Sequence, residues 1–442
     1  HVAATVGAEP AQPRAELARR AAASKLRSRL VKGVKEAARA GSKDGKAGPR
    51  ARAPSGKVPP LAYERWACRD ALRQDRERGE LLLPCSGVPD AGLARDLSRH
   101  ALGGRAAQEV AAALAKAGKA AAAKLVGGGG GADELERVHC TRRGELFNVA
   151  LGHPEAKPYF VVSEAHLDKL QTLYLRNLPP GARSASVDEA EQKFLRALFC
   201  LLCRYDAVGG AGYQCAVPAA GFDALREAVC AGGECFASPL NCRTGSYCSA
   251  FADVDAPFGS SGNFLDFYPE RGSYEANPVF VPETMSAMAE HVEGLLGAAA
   301  AGAPSRYGKG GGKRGKPRAL SFAVVVPVWR ECKFYSALMG STFRRGEPLM
   351  LPADEHVYVD GAQHSRPAAE RERPSSYDTA IFFLQTDEAA EKWPVGEQQR
   401  TCIRAAMRPL ADKGERKGAG GVQDRLREIE RRNKRRKLAG TR

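Results

Sequence analysis

Gly272-Ser273-Tyr274-Glu275-Ala276-Asn277-Pro278-Val279-Phe280 reads as a short extended run that breaks into a turn. Proline has no N–H for a strand ladder and Asn suits a turn, so the strand stops at Ala276. Downstream, Met285, Met288, Val292, Leu295 and Leu296 recur at helical spacing, which predicts a helix over about 283–296 laid on a sheet. Further apolar runs flank this pair: Cys235 to Ala237, Phe264 to Phe267, Leu320 to Val326, Met350 to Pro352, His356 to Val359 and Ala380 to Leu384. Short strands between loops and helices predict an α/β layer structure over 231–410. In open sheets of that kind ligands bind beyond the carboxyl ends of the strands, which is where Asn277 falls.

Upstream the pattern is mainly helical. A helical, charge-dense stretch with Trp66 runs from about 61 to 100. Residues 135–180 read as a strand pair and a helix opening at Ser163, and a second amphipathic helix spans about 187–206. We therefore expect a helical module over 61–230. Within it, 103–132 is an Ala-Lys helix-former ending in Gly127 to Gly131, expected as a low-complexity insert or flexible linker. Ala298 to Arg318 is expected as a disordered basic loop inside the 231–410 core.

The net charge of +16 invites a nucleic-acid partner, and its distribution narrows the invitation. Residues 1–60 carry 14 Lys/Arg against 4 acids, and 412–442 carry 12 against 5. The chain between them is close to neutral. Residues 1–60 and 411–442 are expected as disordered basic tails, the second ending in Arg431-Arg432-Asn433-Lys434-Arg435-Arg436-Lys437, a run suited to a nuclear import receptor or to nucleic acid. No run reaches the roughly 18 apolar residues of a membrane span, and no signal peptide is visible, so a soluble intracellular protein without membrane partners is expected. The chain opens on His1 and is expected to be a fragment or a processed form. Its 12 cysteines lack a disulfide spacing. Cys200-x-x-Cys203 lies in an apolar run with no second pair, so buried thiols and no metal are expected.

The Asn-Pro-x-Phe turn has a chemistry of its own. The lone pair of an exocyclic amine such as adenine N6 is delocalised into the ring, and two hydrogen-bond acceptors would draw that amine toward tetrahedral geometry. The Asn277 side-chain oxygen and the Pro278 carbonyl are acceptors of that kind, and Phe280 suits stacking on the base. Orientation and electrostatics then carry the rate, without a strong base. The same residues also suit a plain turn after a strand.

Ordered blocks around the turn narrow the choice. Glu234 to Cys242, Tyr247 to Phe251, Phe258-Gly259-Ser260, Asn277 to Phe280, Val324 to Glu331, Leu351 to His356, Gln363-His364 and Thr379 to Gln385 follow one another in a set order. Together they resemble the cap-specific adenosine N6-methyltransferase family, the phosphorylated-CTD-interacting-factor proteins. The resemblance is strong over about 230–395, weaker over 140–230 and absent from both ends. It implies a Rossmann-like class I methyltransferase core with a helical module, S-adenosyl-L-methionine as cofactor, and methyl transfer to N6 of the adenosine beside the mRNA cap, in the nucleus. Asn277, Pro278 and Phe280 match the family's Asn-Pro-Pro-Phe signature, with Val279 in place of the second proline. Ala237, Ser238, Pro239, Leu240 and Asn241 match the block expected to face the cofactor. The animal members also carry a WW domain. The chain's tryptophans, Trp66, Trp329 and Trp393, show no pair at WW spacing, so neither that domain nor its polymerase-tail partner is expected.

Other candidates rest on position. Asp266 ends a predicted strand and suits a cofactor ribose, or solvates a loop. Glu275, two residues before Asn277, suits the cofactor or an exposed site. Trp329 and Arg330 suit base or cap stacking and His364, after Gln363, suits the lining of the substrate pocket, while each also fits an ordinary structural place. Two other readings stay open: methylation of another planar amine or amide, such as a protein glutamine, and an RNA-binding protein whose catalysis Val279 has weakened.

Overall fold

The computed structural model describes residues 11–43, 55–73, 80–127, 136–178, 186–209, 214–303 and 315–409. The first helices are α1 (Pro13–Lys43), α2 (Ala62–Arg73), α3 (Ala91–His100) and α4 (Gly104–Gly127). A three-stranded antiparallel sheet follows, β1 (Val138–Arg143), β2 (Leu146–Leu151) and β3 (Phe160–Ser163). Helices α5 (Glu164–Arg176) and α6 (Val187–Val208) pack with it around Val138, Val149, Val162, Leu198 and Leu202. Cys200 and Cys203 are buried in that same core.

The segments expected as a basic tail and as a low-complexity insert hold helices that pack into the core. Ala23, Leu26, Leu30 and Val34 put a buried stripe along α1, and Ala107, Ala111, Leu114 and Ala122 do so along α4. Alanine at these positions lets helix backbones approach closely, and it read as low complexity because its own hydrophobic signal is small. Glu16 on α1 is sealed in the interior against Arg204 of α6, at 2.7 and 2.8 Å, and Arg204 also holds Asp253 at 2.7 Å. Removing one partner of such a buried pair costs about 3–5 kcal/mol, so α1 is part of the fold rather than a tail. The glycine run beyond Gly127 and the basic end from 410 lie outside the described residues.

The remaining elements are α7 (Ala219–Val229), β4 (Gly233–Ala237), β5 (Tyr247–Ser249), α8 (Ala252–Asp255), β6 (Gly272–Ala276), α9 (Pro282–Ala300), β7 (Leu320–Pro327), α10 (Lys333–Gly340) and β8 (Leu349–Leu351). They end with β9 (Val357–Val359), β10 (Glu372–Pro374), β11 (Thr379–Gln385), α11 (Asp387–Lys392) and α12 (Glu397–Ala406). A six-stranded mixed sheet runs in the order β5-β4-β6-β7-β11-β8. Strands β5, β4, β6 and β7 are parallel, and β11 is antiparallel to both β7 and β8. Every residue of β7 and β11 is buried, as expected for central strands covered on both faces.

One face packs on α9 and α10 through Met285, Val292, Val324 and Phe334. The other packs on α7 and α12 through Phe222, Leu225, Val325, Phe383 and Ile403. Helix α7 therefore belongs to the sheet, so the sheet layer begins before the expected boundary at 230. Helix α9 runs past the expected loop start, because Ala298 and Ala299 are buried in the core. The predicted strand at Phe264–Phe267 is a 3-10 turn instead, opened by the Asn263 side chain accepting from the Leu265 N–H at 2.9 Å. Asp266 is thus exposed on a turn, not at a strand end. The described residues through Met407 form one compact unit.

Candidate functional site

Chain direction makes the site. From β4 the chain goes outward to β5, then returns to form β6 on the other side of β4. The carboxyl ends of β4 and β6 therefore flank a topological switch point, the usual place for a ligand in an open sheet. Ser238 to Asn241 leave the first strand there and Asn277 leaves the second.

Asn277 is buried, and its amide nitrogen donates to the Cys215 carbonyl at 3.1 Å. That bond orients the side chain and leaves its Oδ1 as an acceptor. Around it lies a cavity of about 280 Å³ lined by Cys215, Asn277, Pro278, Phe280, Tyr358 and Arg373, with Ser375, Ser376 and Tyr377 at its margin. That size is just below the roughly 300 Å³ at which small-molecule sites begin. Phe280 lies 6.2 Å from the Tyr358 ring and 6.3 Å from Trp329, both edge to face, and Trp329 stands perpendicular to Tyr377 at 5.3 Å. Tyr358 is held in turn, its hydroxyl bonded to Thr379 Oγ1 at 3.0 Å, which His356 also meets at 2.9 Å.

A strap before α7 ties the two strand ends together. The Gln214 carbonyl accepts from the Asn241 amide at 3.1 Å, and the next carbonyl, of Cys215, accepts from Asn277. Ala216 then pairs with Val359 of β9 through bonds of 2.9 and 2.8 Å. Asn241 is fully engaged: its Oδ1 accepts from the Ser238 N–H at 2.7 Å and hydroxyl at 3.0 Å. Lys169 of α5 braces this turn, donating to the Leu240 carbonyl at 3.0 Å and the Cys242 carbonyl at 3.3 Å. Leu240 itself is buried in the core of the helical module, so its side chain faces away from any ligand. Ala237 and Asn241 are half-buried, while Ser238 and Pro239 are buried.

The electrostatics of the strand ends are unusual. Glu234 and Glu275 are paired in register on β4 and β6, both buried. Burial pushes Glu234 up to about 7, although the Arg243 and Thr244 N–H groups donate to it at 2.7 and 2.6 Å. Glu275 is driven well above the carboxylate range by burial and by its neighbour Glu234. The Oε1 atoms of Glu275 and Gln214 are both buried without a hydrogen-bond partner. A buried acceptor left unpaired costs about 1–3 kcal/mol, which a ligand with hydroxyl or ammonium donors would recover. An adenosyl cofactor carries donors of both kinds, so the residues at this edge fit one.

Of the expected site residues, the structure brings together Asn277, Pro278, Phe280 and Trp329. Glu275 lies on the adjoining strand. Arg330 is exposed beside Trp329, and Asp266 is on its exposed turn. His364 is not in the cavity lining and sits instead among His166, Lys169, Asp360 and Arg371. Cys215, Tyr358, Arg373 and Tyr377 were not legible as site residues, because only the fold brings them to Asn277. A larger opening of about 1160 Å³ between α1 and α4 is lined mainly by alanine and leucine with scattered Lys, Arg and Glu, and brings together no comparable set of acceptors and aromatic rings.

A family model described as the phosphorylated CTD interacting factor 1 WW domain matches residues 169–361. The expectation that the chain lacks a WW domain is therefore not borne out, and the exclusion of a partner drawn from it lapses. The absence of a tryptophan pair was too narrow a criterion: the matched span runs from α5 to the end of β9 and contains Trp329 alone of the three tryptophans. The chain is 38% identical over 255 residues to a human protein named mRNA (2'-O-methyladenosine-N(6)-)-methyltransferase, covering 56% of this chain and 33% of that protein. It is 39% identical over 241 residues to a mouse protein of the same name, covering 52% of this chain and 30% of that protein. The chain thus spans about a third of the length of the curated relatives it matches.

Proposed function

We propose that this chain carries an S-adenosylmethionine-dependent methyltransferase site for N6 of an adenosine in RNA, with the adenosine beside the mRNA cap as its target. One observation carries the reading. The Asn277 amide is pinned by its nitrogen to Cys215, so its oxygen is the acceptor presented at the carboxyl end of β6. Two further observations support it. The sheet order, with one antiparallel strand between β7 and β8, suits a Rossmann-like class I core. Relatives in human and mouse are named for the same chemistry on 2'-O-methyladenosine.

S-adenosylmethionine supplies an electrophilic methyl group on a sulfonium when bound. Gln214 and Glu275 would offer it their unpaired acceptors, and Ala237 to Asn241 a preformed turn. The protein then has to present an amine. Adenine stacks on Phe280, whose ring is buttressed by Tyr358 and Trp329. Its N6 hydrogens are accepted by Asn277 Oδ1 and the Pro278 carbonyl, which directs the nitrogen lone pair out of the ring plane. These acceptors stabilise the positive charge that grows on N6 during transfer, and the spare proton afterwards passes to water. Half-buried Trp329 and exposed Tyr377 form an aromatic step suited to a neighbouring base. The basic run Arg431 to Lys437, with nuclear import as its proposed role, lies outside the described residues.

The test is transfer of labelled methyl from S-adenosylmethionine to four acceptors: capped RNA beginning with adenosine or with 2'-O-methyladenosine, uncapped RNA, and protein. Nucleoside mass spectrometry should find N6-methylated adenosine at the cap-adjacent position. Label in protein glutamine, or none despite cofactor binding, overturns the reading.

A further inference from the structure

We infer that the cationic cluster across Asp360 from the Asn277 cavity binds phosphate groups of the RNA flanking the target nucleotide. The inference rests on the reading of that cavity as the seat of the adenine and adds a second contact to it.

Asp360 is wholly buried and stands between the two places. Its carboxylate pairs with Arg373, which lines the cavity, and with Arg366 at 3.7 Å. Its backbone N–H donates to the Arg371 carbonyl at 2.7 Å. Arg371 has no carboxylate partner among the described residues: its guanidinium donates to the Arg366 carbonyl at 3.0 Å and to Ser163 Oγ at 3.4 Å. Ser163 Oγ meets His166 at 2.9 Å, and three residues along α5 Lys169 commits its ammonium to two carbonyls. Among Lys169, Arg366, Arg371 and Arg373 stands the buried carboxylate of Asp360, which pairs with Arg366 and Arg373 and not with Lys169 or Arg371. Glu234 near Lys169 is brought toward neutrality by burial, Asp206 is paired with Arg20 at 2.5 Å, and Glu370 and Glu372 flank Arg371 in the chain without an ion pair to it.

His364 lies in the middle of this excess, and its Nδ1 is buried without a partner. Burial and the cations Lys169 and Arg371 hold His166 and His364 neutral, at about 3 and about 4, so they add N–H donors without adding charge. Arg371 and Lys169, half-buried and bonded only to carbonyl and hydroxyl oxygens, stand beside Arg366 and Arg373, which share one carboxylate; with the neutral histidines they suit an anion with several oxygens. A nucleotide seated on Phe280 brings its phosphate one sugar away from the base, on whichever side the chain leaves the cavity. Arg373 and Asp360 join that cavity to the cluster.

The probes are three short RNAs: one beginning with adenosine and bearing a 5′ triphosphate, the same RNA with a 5′ hydroxyl, and one with the adenosine internal. Binding to the full chain is measured by fluorescence anisotropy across a salt series, for the parent, Arg371→Gln and Arg366→Gln, with melting temperatures as a check on folding. The second variant guards against the loss of Arg371's packing bonds. Each variant should weaken binding by at least about tenfold. Each should also lower the salt slope by roughly 0.7 for every phosphate that it no longer neutralises. Affinity for S-adenosylmethionine should be unchanged. A loss confined to the triphosphate RNA identifies the 5′ end as the ligand, and a loss shared by all three identifies backbone phosphodiesters; either supports the site. Folded variants that bind every RNA as the parent does, or that lose cofactor instead of RNA, overturn it. The two readings fail separately. Binding that depends on Arg371 without methyl transfer sinks the adenine assignment alone, and transfer with no dependence on either arginine sinks the phosphate site alone.

Discussion

Asn277 shows how much one side chain depends on its neighbours. The Cys215 carbonyl takes its N–H, so the amide presents an acceptor, as the proposed methyl transfer requires. Asn277→Ala should slow methyl transfer by at least ~10²-fold, the usual effect of losing one oriented dipole at a developing charge. Cofactor affinity should change little, and a single-turnover assay with a parallel binding titration separates the two. Full activity in this variant would remove the turn from the mechanism. Val279 is the other informative position. Its carbonyl accepts from the Val281 N–H at 2.7 Å, a bond that proline preserves. Val279→Pro should stabilise a compatible turn by about 0.4–1 kcal/mol through chain entropy and be at least as active as the parent. A misfolded or inactive Pro variant would show that the turn differs from the family signature.

Strands β4 and β6 bring two carboxyls together where one would already be costly. Folding raises Glu234 from the ordinary carboxylate value of about 4.5 to about 7, chiefly through burial. Between those values the folded state keeps a proton that the unfolded chain has released. Stability therefore falls as pH rises through that window and levels off above it. Asp255 behaves alike, raised to about 7 by burial. Glu234→Gln keeps an oxygen for the Arg243 and Thr244 N–H groups and cannot ionise. Its urea midpoint should thus decline clearly less than the parent's between pH 5 and 8. Parallel curves for the two proteins would mean that Glu234 is ionised in the fold at neutral pH. The two unpaired acceptors at this edge fit the same pattern, since a site shaped for a ligand leaves polar groups unsatisfied until it is filled.

At the level of the molecule, charge and fold divide the chain differently than composition does. Residues 1–60 and 412–442 hold the basic excess, yet α1 within the first segment is a core helix sealed by Glu16 and Arg204. Removing 1–60 would strip that helix, so the informative deletion is 412–442, with its 12 Lys/Arg and 5 acids. We expect this deletion to weaken RNA binding at low salt and to flatten the salt dependence, each neutralised phosphate contributing about 0.7 to the slope. Turnover at saturating RNA should survive. Filter binding across a salt series checks it, and identical slopes for trimmed and full chains would place all RNA attraction on the folded body.

Local patterns wrote much of this protein plainly. The apolar runs of β4, β6, β7 and β11, the helical stripe of α9 and the Asn-Pro break were legible because strand period, helix period and turn chemistry act over a few residues. The same reading saw helix formers in α1 and α4 and missed that they pack into the core, because alanine stripes are weak signals until a partner helix is opposite them. It also took Phe264 to Phe267 for a strand, because a short apolar run looks alike as a strand or as a 3-10 turn packed on a sheet. The candidate site divides in the same way. Asn277, Pro278 and Phe280 stand together in the chain, which made them legible as the candidates for the proposed chemistry. Cys215 lies 62 positions from Asn277, and Tyr358, Arg373 and Tyr377 come from a separate stretch beyond β8. Hydrogen bonds and ring contacts between distant segments leave no periodic trace in a single sequence. The order of amino acids was thus enough to nominate the residues for the chemistry. Which way the amide points, what floors the cavity and where the cations gather came from folding alone, because they follow from closing the sheet and packing the helices around it.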